Sequence, residues 1–531
     1  MTTTRTQTAG LPTQGRTLAD LDDAERYRRF DELQTAMPQV WQSMRQDLDD
    51  ECVVVVPSVS LARSTASSGA LVQAMEERAL FLLLLLRQPR LRMVYVTSLP
   101  VAESIVEYYL GLLPGVIPRQ ARSRLHLVPV GDGSVQPLSA KLLARPRLLG
   151  QIRALVPNPE HAHLIPYNTT SLERDVAVSL GLPMYGADPR FEPLGTKTGC
   201  RRMFDELGVL CPQGAEDLHT VADLVDALRA MRARRPAMTQ AIVKLDDGVS
   251  GAGNANVHLA GLPDPGARDE AAAVEQRLRT LSPEDPALTP EAYLAGFEED
   301  GGIVEERITG EAIESPSVQM RVLPTGAVDL LSTHDQLLGG PSGQSYLGCV
   351  FPADAGYSRL ICEPAMAVGR HLSRLGVLGR FAVDFVVVRD ATGTWTPYAI
   401  ELNLRKGGTT HPFLTLQFLT DGAYDGDHGL FLTPTGTPKH LVATDHLEHP
   451  ALRALTGDDL FEIVATHGLH FDHARQTGVV FHMISALTEA GRLGLTAVAD
   501  SPGAARRLDD HAAAVVVHEA EKALTEAPVV G

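Results

Sequence analysis

Ala399-Ile-Glu-Leu-Asn403, with Glu401 seventeen residues beyond Asp384, puts three oxygen-bearing side chains where two strands should meet. Phe381 to Val388 reads as an apolar strand interrupted by one carboxylate, and Tyr398 to Leu402 reads as a second strand. Between them Arg389-Asp-Ala-Thr-Gly-Thr394 is turn chemistry, which predicts an antiparallel hairpin. With the turn centred near Thr392, Asp384 falls almost opposite Glu401. Glu401 and Asn403 are two apart and share a strand face, while Leu402 points to the other side. Hard oxygen ligands on a rigid hairpin suit Mg²⁺, which takes one or two carboxylates and fills its shell with water and phosphate oxygens. Asp384, Glu401 and Asn403 are therefore the candidate metal ligands. An isolated Glu-x-Asn is more often a solvated strand face, so its meaning depends on the rest of the chain.

The 531 residues suffice for two or three domains with real cores, and 44% hydrophobic content describes a globular chain. A net charge of −18 opposes any general nucleic-acid or anionic-membrane surface, since both need a basic field. Neither partner is expected. Basic charge comes almost wholly from Arg, with six Lys only: Lys141, Lys197, Lys244, Lys406, Lys439 and Lys522. Cys52, Cys200, Cys211, Cys349 and Cys362 have neither C-x-x-C nor His-paired spacing, which suits a reduced cytoplasm better than disulfides or zinc. The N-terminus lacks the apolar core of a signal peptide, and the longest apolar run, Ala79 to Leu86, is too short to span a bilayer.

Along the chain the composition divides into an N-terminal extension at 1–45, an α/β domain at 46–190, a core at 191–430 with a subdomain at about 196–305, and a terminal unit at 431–531. After an amphipathic helical segment from Leu18, strands at Cys52 to Pro57, Arg92 to Thr97, Leu125 to Val130 and His163 to Pro166 alternate with helices, including one over Gly69 to Arg87. That alternation predicts a parallel, Rossmann-like sheet. Val53 to Ser60 lies at a strand end, where such sheets bind ligands, but without G-x-G-x-x-G it does not read as a dinucleotide site. The terminal unit reads as a strand at His440, two helices, a hairpin over Gly478 to Val498 and a last helix from Gly503.

Lys197 follows Gly195-Thr196 but fails the Walker A pattern, which needs Gly directly before the Lys. Lys244 ends a strand and precedes the Gly-rich segment Asp246-Asp-Gly-Val-Ser-Gly-Ala-Gly-Asn254. Two of six scarce lysines beside a flexible loop suggest cations on a polyphosphate and a backbone lid over it. Either Lys alone would more often be a surface residue. Ile303-Val-Glu-Glu-Arg-Ile-Thr-Gly-Glu311 adds an acidic strand running into Ile-Thr-Gly.

In this order and spacing the set resembles the ATP-grasp ligases over roughly residues 185 to 430. The resemblance implies two α+β lobes sandwiching ATP. It implies Lys197 and Lys244 on the phosphates, the loop with Ser250, Gly251 and Gly253 closing over them, and Glu305 and Glu306 as hinge acids. Arg307 and Ile308 would lie beside adenine and Glu311 on the ribose. Asp384, Glu401 and Asn403 would hold Mg²⁺, with Mn²⁺ as an alternative, and Arg405 would steady the transferred phosphoryl group. More narrowly, the chain is similar to the pheganomycin-type peptide ligases, which carry a pre-ATP-grasp domain, an ATP-grasp core and a small C-terminal α/β domain. Four segments carry this: Pro166-Tyr-Asn-Thr-Thr170, Val243-Lys-Leu-Asp-Asp-Gly-Val-Ser-Gly251, Ser332-Thr-His-Asp-Gln336 and Glu401-Leu-Asn-Leu-Arg-Lys-Gly-Gly-Thr-Thr-His-Pro412. The first 45 residues fall outside it.

His334 and His411 lie in those segments, and an unperturbed imidazole, titrating near pH ~6.5, could take a proton from an amine. A polar strand end more often carries a structural His. The implied activity is ATP-dependent amide formation between a small-molecule or amino-acid carboxylate and an amine-bearing amino acid or peptide, through an acylphosphate with ADP and phosphate released, in peptide natural-product biosynthesis. A homodimer is compatible with this reading. Its rivals are a non-catalytic ATP-binding regulatory protein and an ATP-grasp kinase or ligase of another bond type.

Overall fold

The computed structural model describes residues 18–46, 50–61, 68–248, 251, 253–340 and 343–526. Helices Asp23–Gln34 and Met37–Gln46 dock the N-terminal segment onto the first α/β unit. Arg26 pairs with Asp175 at 2.7 Å, Arg174 pairs with Asp23 at 2.7 Å, and the Gln34 amide bonds both the N–H and the carbonyl of Met184.

The predicted parallel sheet is present, ordered in space Leu125–Pro129, Arg92–Thr97, Cys52–Val56, Ala162–Pro166. Cys52–Val56 is buried at every position, as a parallel strand covered on both faces requires. Strand order reverses between Cys52–Val56 and Ala162–Pro166, so their C-terminal ends border the crevice where open α/β sheets receive ligands. Val53, Val55 and Ile165 face the body of the protein, whereas Cys52, Val54, Val56 and Leu164 pack under the unit's own helices. The helix expected over 69–87 stops at Glu77, and Arg78–Arg87 winds as a 3-10 helix. Leu80 to Leu84 are all buried there. With apolar contacts on every side, no amphipathic stripe holds the 3.6-residue period.

A second, five-stranded antiparallel sheet runs Gly214–Leu218, Gly302–Glu306, Gln240–Leu245, Asn254–His258, Ser282–Pro283. Helices Val221–Arg234, Glu270–Leu278 and Pro290–Asp300 contribute to its core. The third sheet has nine strands. Gly379–Arg389 pairs with Trp395–Asn403, Pro316–Val322 and Ala312–Glu314, and the sheet continues through Val328–Gly339 and Ser345–Phe351. It does not end at residue 430. His440–Glu448 pairs with Ser345–Phe351, followed by Arg492–Ala499 and Gly478–His482, so the expected terminal hairpin is an extension of the core sheet. Helix Pro502–Glu526 packs against it. No helix among the described residues is long and apolar enough to cross a membrane.

Candidate active site

Asp384 pairs directly with Glu401 across the hairpin, as the turn position predicts. Beyond that pair the register shifts, Phe385 opposing Ala399 and leaving Ile400 in a bulge. Such a bulge re-aims neighbouring side chains. Phe381, Val383, Phe385 and Leu402 enter the core, so Arg380, Ala382 and Asp384 occupy the opposite face. Ser317 lies across from Asp384 on the neighbouring strand and Gln319 across from Ala382.

Charge on this face is dense. The Lys197 ammonium bonds Glu401 Oε1 at 2.5 Å. Lys197 begins helix Lys197–Glu206, capped by the Thr196 side chain accepting from Gly199 N–H. Burial alone would raise the Glu401 carboxyl, but Lys197 and Arg405 outweigh it and hold it below its ordinary value. Asp384 has the opposite balance: burial and the adjacent Glu401 carboxylate push it up to about 6. The Asn403 amide nitrogen donates to Asp384 Oδ2 at 3.0 Å, and its oxygen accepts from Arg405. Two carboxylates opposed across a strand pair, one raised by the other, form a donor set that a divalent cation relieves. The residues fit Mg²⁺. The Asn403 oxygen, which accepts one hydrogen bond from Arg405, has a second lone pair for the shell.

Glu305 and Glu306 alternate on Gly302–Glu306 and diverge in role. Glu305 is buried between two cations, with Lys244 Nζ at 2.5 Å and Arg201 Nη1 at 2.6 Å. They hold its carboxyl low against the effect of burial. Glu306 turns to Arg235 and accepts from the Gln213 N–H at 3.2 Å. Arg307 bonds Asn256 at 2.9 Å, Ile308 is half-buried and Glu311 is exposed. Ser250 lies outside the described residues. The ends of its loop are anchored: Thr198 N–H donates to Asp246 Oδ1 at 2.7 Å, and Leu245 N–H donates to the Gly253 carbonyl at 2.9 Å. A Cβ on Gly253 would come within 3.0 Å of Gly248 Cα, so the two ends of the loop touch only because both are glycine.

His334 is fully buried, bonded to Ser332 at 2.9 Å and packed on Phe351, and burial pushes it down to about 3. This packing gives proton transfer through His334 no support. His411 lies 3.1 Å from His482, which bonds Asp445 at 2.7 Å, while Arg78 takes the other Asp445 oxygen at 2.7 Å. Although ligating atoms of His411, Asp445 and His482 lie within 4.8 Å of one another, Arg78 already neutralises the carboxylate. His411 is therefore bonded into the His482–Asp445 pair of the terminal strands, which Arg78 ties to the first unit. Sequence reasoning missed Arg201, Arg78 and Asp445. Only Arg201 had a local signal, four residues after Lys197 and so one helical turn along.

A cavity of about 100 Å³ opens beside the hairpin, lined by Asn168, Thr169, Asp246, Gly248, Glu401 and Arg405 among others. It joins the ligand edge of the parallel sheet to the carboxylate pair.

Residues 284–427 match the family model described as IQCH-like, ATP-grasp, and residues 459–512 match the PGM1 C-terminal domain. The chain is 30% identical to L-propargylglycine--L-glutamate ligase of Streptantibioticus cattleyicolor over 436 residues, 81% of this chain and 86% of that one. It is 24% identical to IQ motif-containing protein H of Danio rerio over 81% of this chain, spanning 45% of that protein. Among solved structures, the biotin carboxylase domain of Hydrogenobacter thermophilus 2-oxoglutarate carboxylase superposes with a TM-score of 0.52 at 12% identity, covering 87% of this chain and 89% of that one. Biotin carboxylase of Campylobacter jejuni gives 0.50 at 12%, covering 89% and 95%. With the ATP-grasp match spanning the strand pair of Asp384, Glu401 and Asn403 and the ligase relative aligned along most of both chains, this protein belongs to the ATP-grasp ligases.

Proposed function

We propose that the protein joins the carboxylate of one amino acid to the amine of a second amino acid or a peptide, consuming ATP, as a step in peptide natural-product assembly. The observation that carries this reading is the face where Asp384, Glu401, Asn403, Lys197 and Arg405 converge beside a cavity reaching the ligand edge of the first sheet. The Streptantibioticus relative, named as a ligase of two amino acids, supports the substrate class.

A carboxylate resists amine attack because oxide does not leave, and phosphorylation supplies a leaving group. Asp384, Glu401 and Asn403 would hold Mg²⁺, or Mn²⁺ in its place, which neutralises phosphate charge when bound. Arg405, within bonding distance of Asn403 and free to exchange it for a phosphoryl oxygen, stabilises charge developing on the transferred group. Lys197 holds Glu401 ionised. The loop between Asp246 and Asn254, hinged on its glycine contact, would keep water from the activated acyl group. Lys244 gives one of its three ammonium protons to Glu305, which positions it and leaves donors for a phosphate.

The test is the bond cleaved. With the correct amino acids the products should be ADP and orthophosphate in step with amide. Hydroxylamine supplied in place of the amine should trap a hydroxamate. AMP and pyrophosphate rising with the amide would overturn the proposal.

A further inference from the structure

On the face that carries Asp384, four residues and roughly 13 Å back along the strand, stands Arg380. It makes no hydrogen bond and no ion pair within 4 Å among the described residues, and it is half-buried. Its charge acts on Lys406, which follows Arg405 and lies against the first sheet. Lys406 donates its backbone N–H to the Tyr167 carbonyl and its ammonium to the Pro166 carbonyl, at the strand end beside the crevice. It too has no carboxylate within 4 Å among the described residues. Arg321 and Asp329 are the other charges here, and they pair with each other at 2.8 Å. Two positive charges thus remain uncompensated in a chain of net charge −18. Lacking counter-ions in a buried setting, Lys406 is pushed down to about 7 and Arg380 to about 10.

A second observation concerns buried polar atoms. Trp41 Nε1 has no hydrogen-bond partner among the described residues, and Trp41 stacks on Tyr185 with ring centroids 5.4 Å apart; the Tyr185 hydroxyl lies in the field of Arg380 and interacts with Arg321, whose guanidinium stands 5.5 Å over the Trp41 ring. His163 Nδ1, in the field of Lys406, is buried and likewise without a hydrogen-bond partner among the described residues. The start of the strand is pressed onto this loop: a Cβ on Gly379 would lie 2.9 Å from Gly186 Cα. Buried polar atoms are seldom left unsatisfied, and two of them, Trp41 Nε1 and His163 Nδ1, beside two cations that no carboxylate contacts among the described residues point to a ligand.

We propose that Arg380 and Lys406 form a carboxylate subsite, walled by Trp41, Tyr185 and His163, that holds the α-carboxylate of an amino-acid substrate while its reacting end lies toward Asp384. The subsite gives the N-terminal helices a function, since Met37–Gln46 supplies Trp41. Identifying the ligand as an amino acid rests on the ligase reading above, but its binding can be measured without turnover.

The chain has two tryptophans, so Trp395→Phe leaves Trp41 as the only one. The full chain carrying that change is titrated by fluorescence with the standard L-amino acids, with their α-amides and with inorganic phosphate. At least one amino acid should give a saturable change and bind about 10- to 100-fold more tightly than its amide. Arg380→Met and Lys406→Met should abolish that preference with the KM for ATP unchanged, and Lys406→Arg should keep it. Melting temperatures for the Met variants should match or exceed the parent, because an uncompensated cation is removed.

No response to any amino acid, equal binding of acid and amide, phosphate binding as tightly as the amino acid, or an unaltered preference in both Met variants would each overturn the subsite. ADP release is followed in parallel. Binding without ADP release from any pair of amino acids counts against ligation and leaves the subsite standing. Turnover with no acid-over-amide preference counts against the subsite alone.

Discussion

Lys197–Glu401 and Lys244–Glu305 are made of the same two side chains in contact at the same 2.5 Å, yet they are opposite solutions to one problem. Glu305, its side chain 2% exposed, gives one oxygen to Lys244 and the other to Arg201. Nothing is left over. Glu401, 23% exposed, gives one oxygen to Lys197, and its other makes no hydrogen bond among the described residues, facing a cavity and a second carboxylate. A Lys–Glu pair does not by itself mark a functional site. The residual capacity of the carboxylate does, and the five-stranded sheet has used its capacity up where the hairpin has not.

The sharpest way to break that contrast is Glu401→Gln. The amide can still accept from Lys197, so the circular dichroism spectrum and melting temperature should stay near those of the parent. Turnover should fall on the order of 100-fold or more, the scale of losing one preorganised charge at a reacting centre. Retained turnover at ordinary Mg²⁺ would mean that the hairpin acids are structural after all.

The converse change is Lys244→Met. From sequence alone Lys244 belongs to the phosphates, and its loss should raise the ATP requirement while sparing stability. The buried pair reverses that order, because removing Lys244 leaves Glu305 inside the protein with Arg201 alone. Glu305 keeps its Arg201 partner but loses a charge-assisted hydrogen bond in the interior, which should destabilise by about 3 kcal/mol, read by denaturant unfolding. Lys244→Arg, which restores a cation there, should recover part of it. If stability holds while ATP affinity collapses, Lys244 serves the nucleotide and the two pairs are alike.

What could be read in advance follows the range of the interactions. The parallel sheet, the hairpin and the register of Asp384 on Glu401 come from local periodicity and one turn, and all are present. The partners of buried charges are long-range: Arg201 meets Glu305 across 104 residues and Arg78 meets Asp445 across 367. Residue types reveal that a buried acid needs a cation but not which one it takes. His334 and His411 show the same limit. A His at a polar strand end looks open in sequence, and only packing on Phe351, or against His482 and Asp445, takes it away from solvent. The single sheet running through residue 430 was hidden likewise, since strand pairing between 345–351 and 440–448 leaves no local trace.

Glu76 extends the contrast to a third kind of carboxylate and to the smallest expected effect. It is buried with no cation in contact, accepting from the Ser98 N–H at 2.6 Å and bonding the Ser98 hydroxyl at 2.6 Å, while Lys141 is turned to Ser98 and the Ser134 carbonyl. Burial pushes its carboxyl from 4.5 up to about 7. Where Glu305 is stabilised by cations, Glu76 is stabilised by a proton. A carboxyl raised in the folded state binds its proton more tightly there than in the unfolded chain. Its contribution to stability is complete below pH 4.5 and is lost as pH rises through about 7. The loss is up to about 3 kcal/mol. Glu76→Gln keeps the shape and cannot ionise, so the variant should equal the parent near pH 5 and exceed it at pH 8. Adjacent Glu77, also raised by burial, will leave some slope in both proteins. Denaturant midpoints across that range measure the difference, and parallel curves for the two proteins would mean that Glu76 is ionised in the fold and that Lys141, despite its other bonds, compensates it.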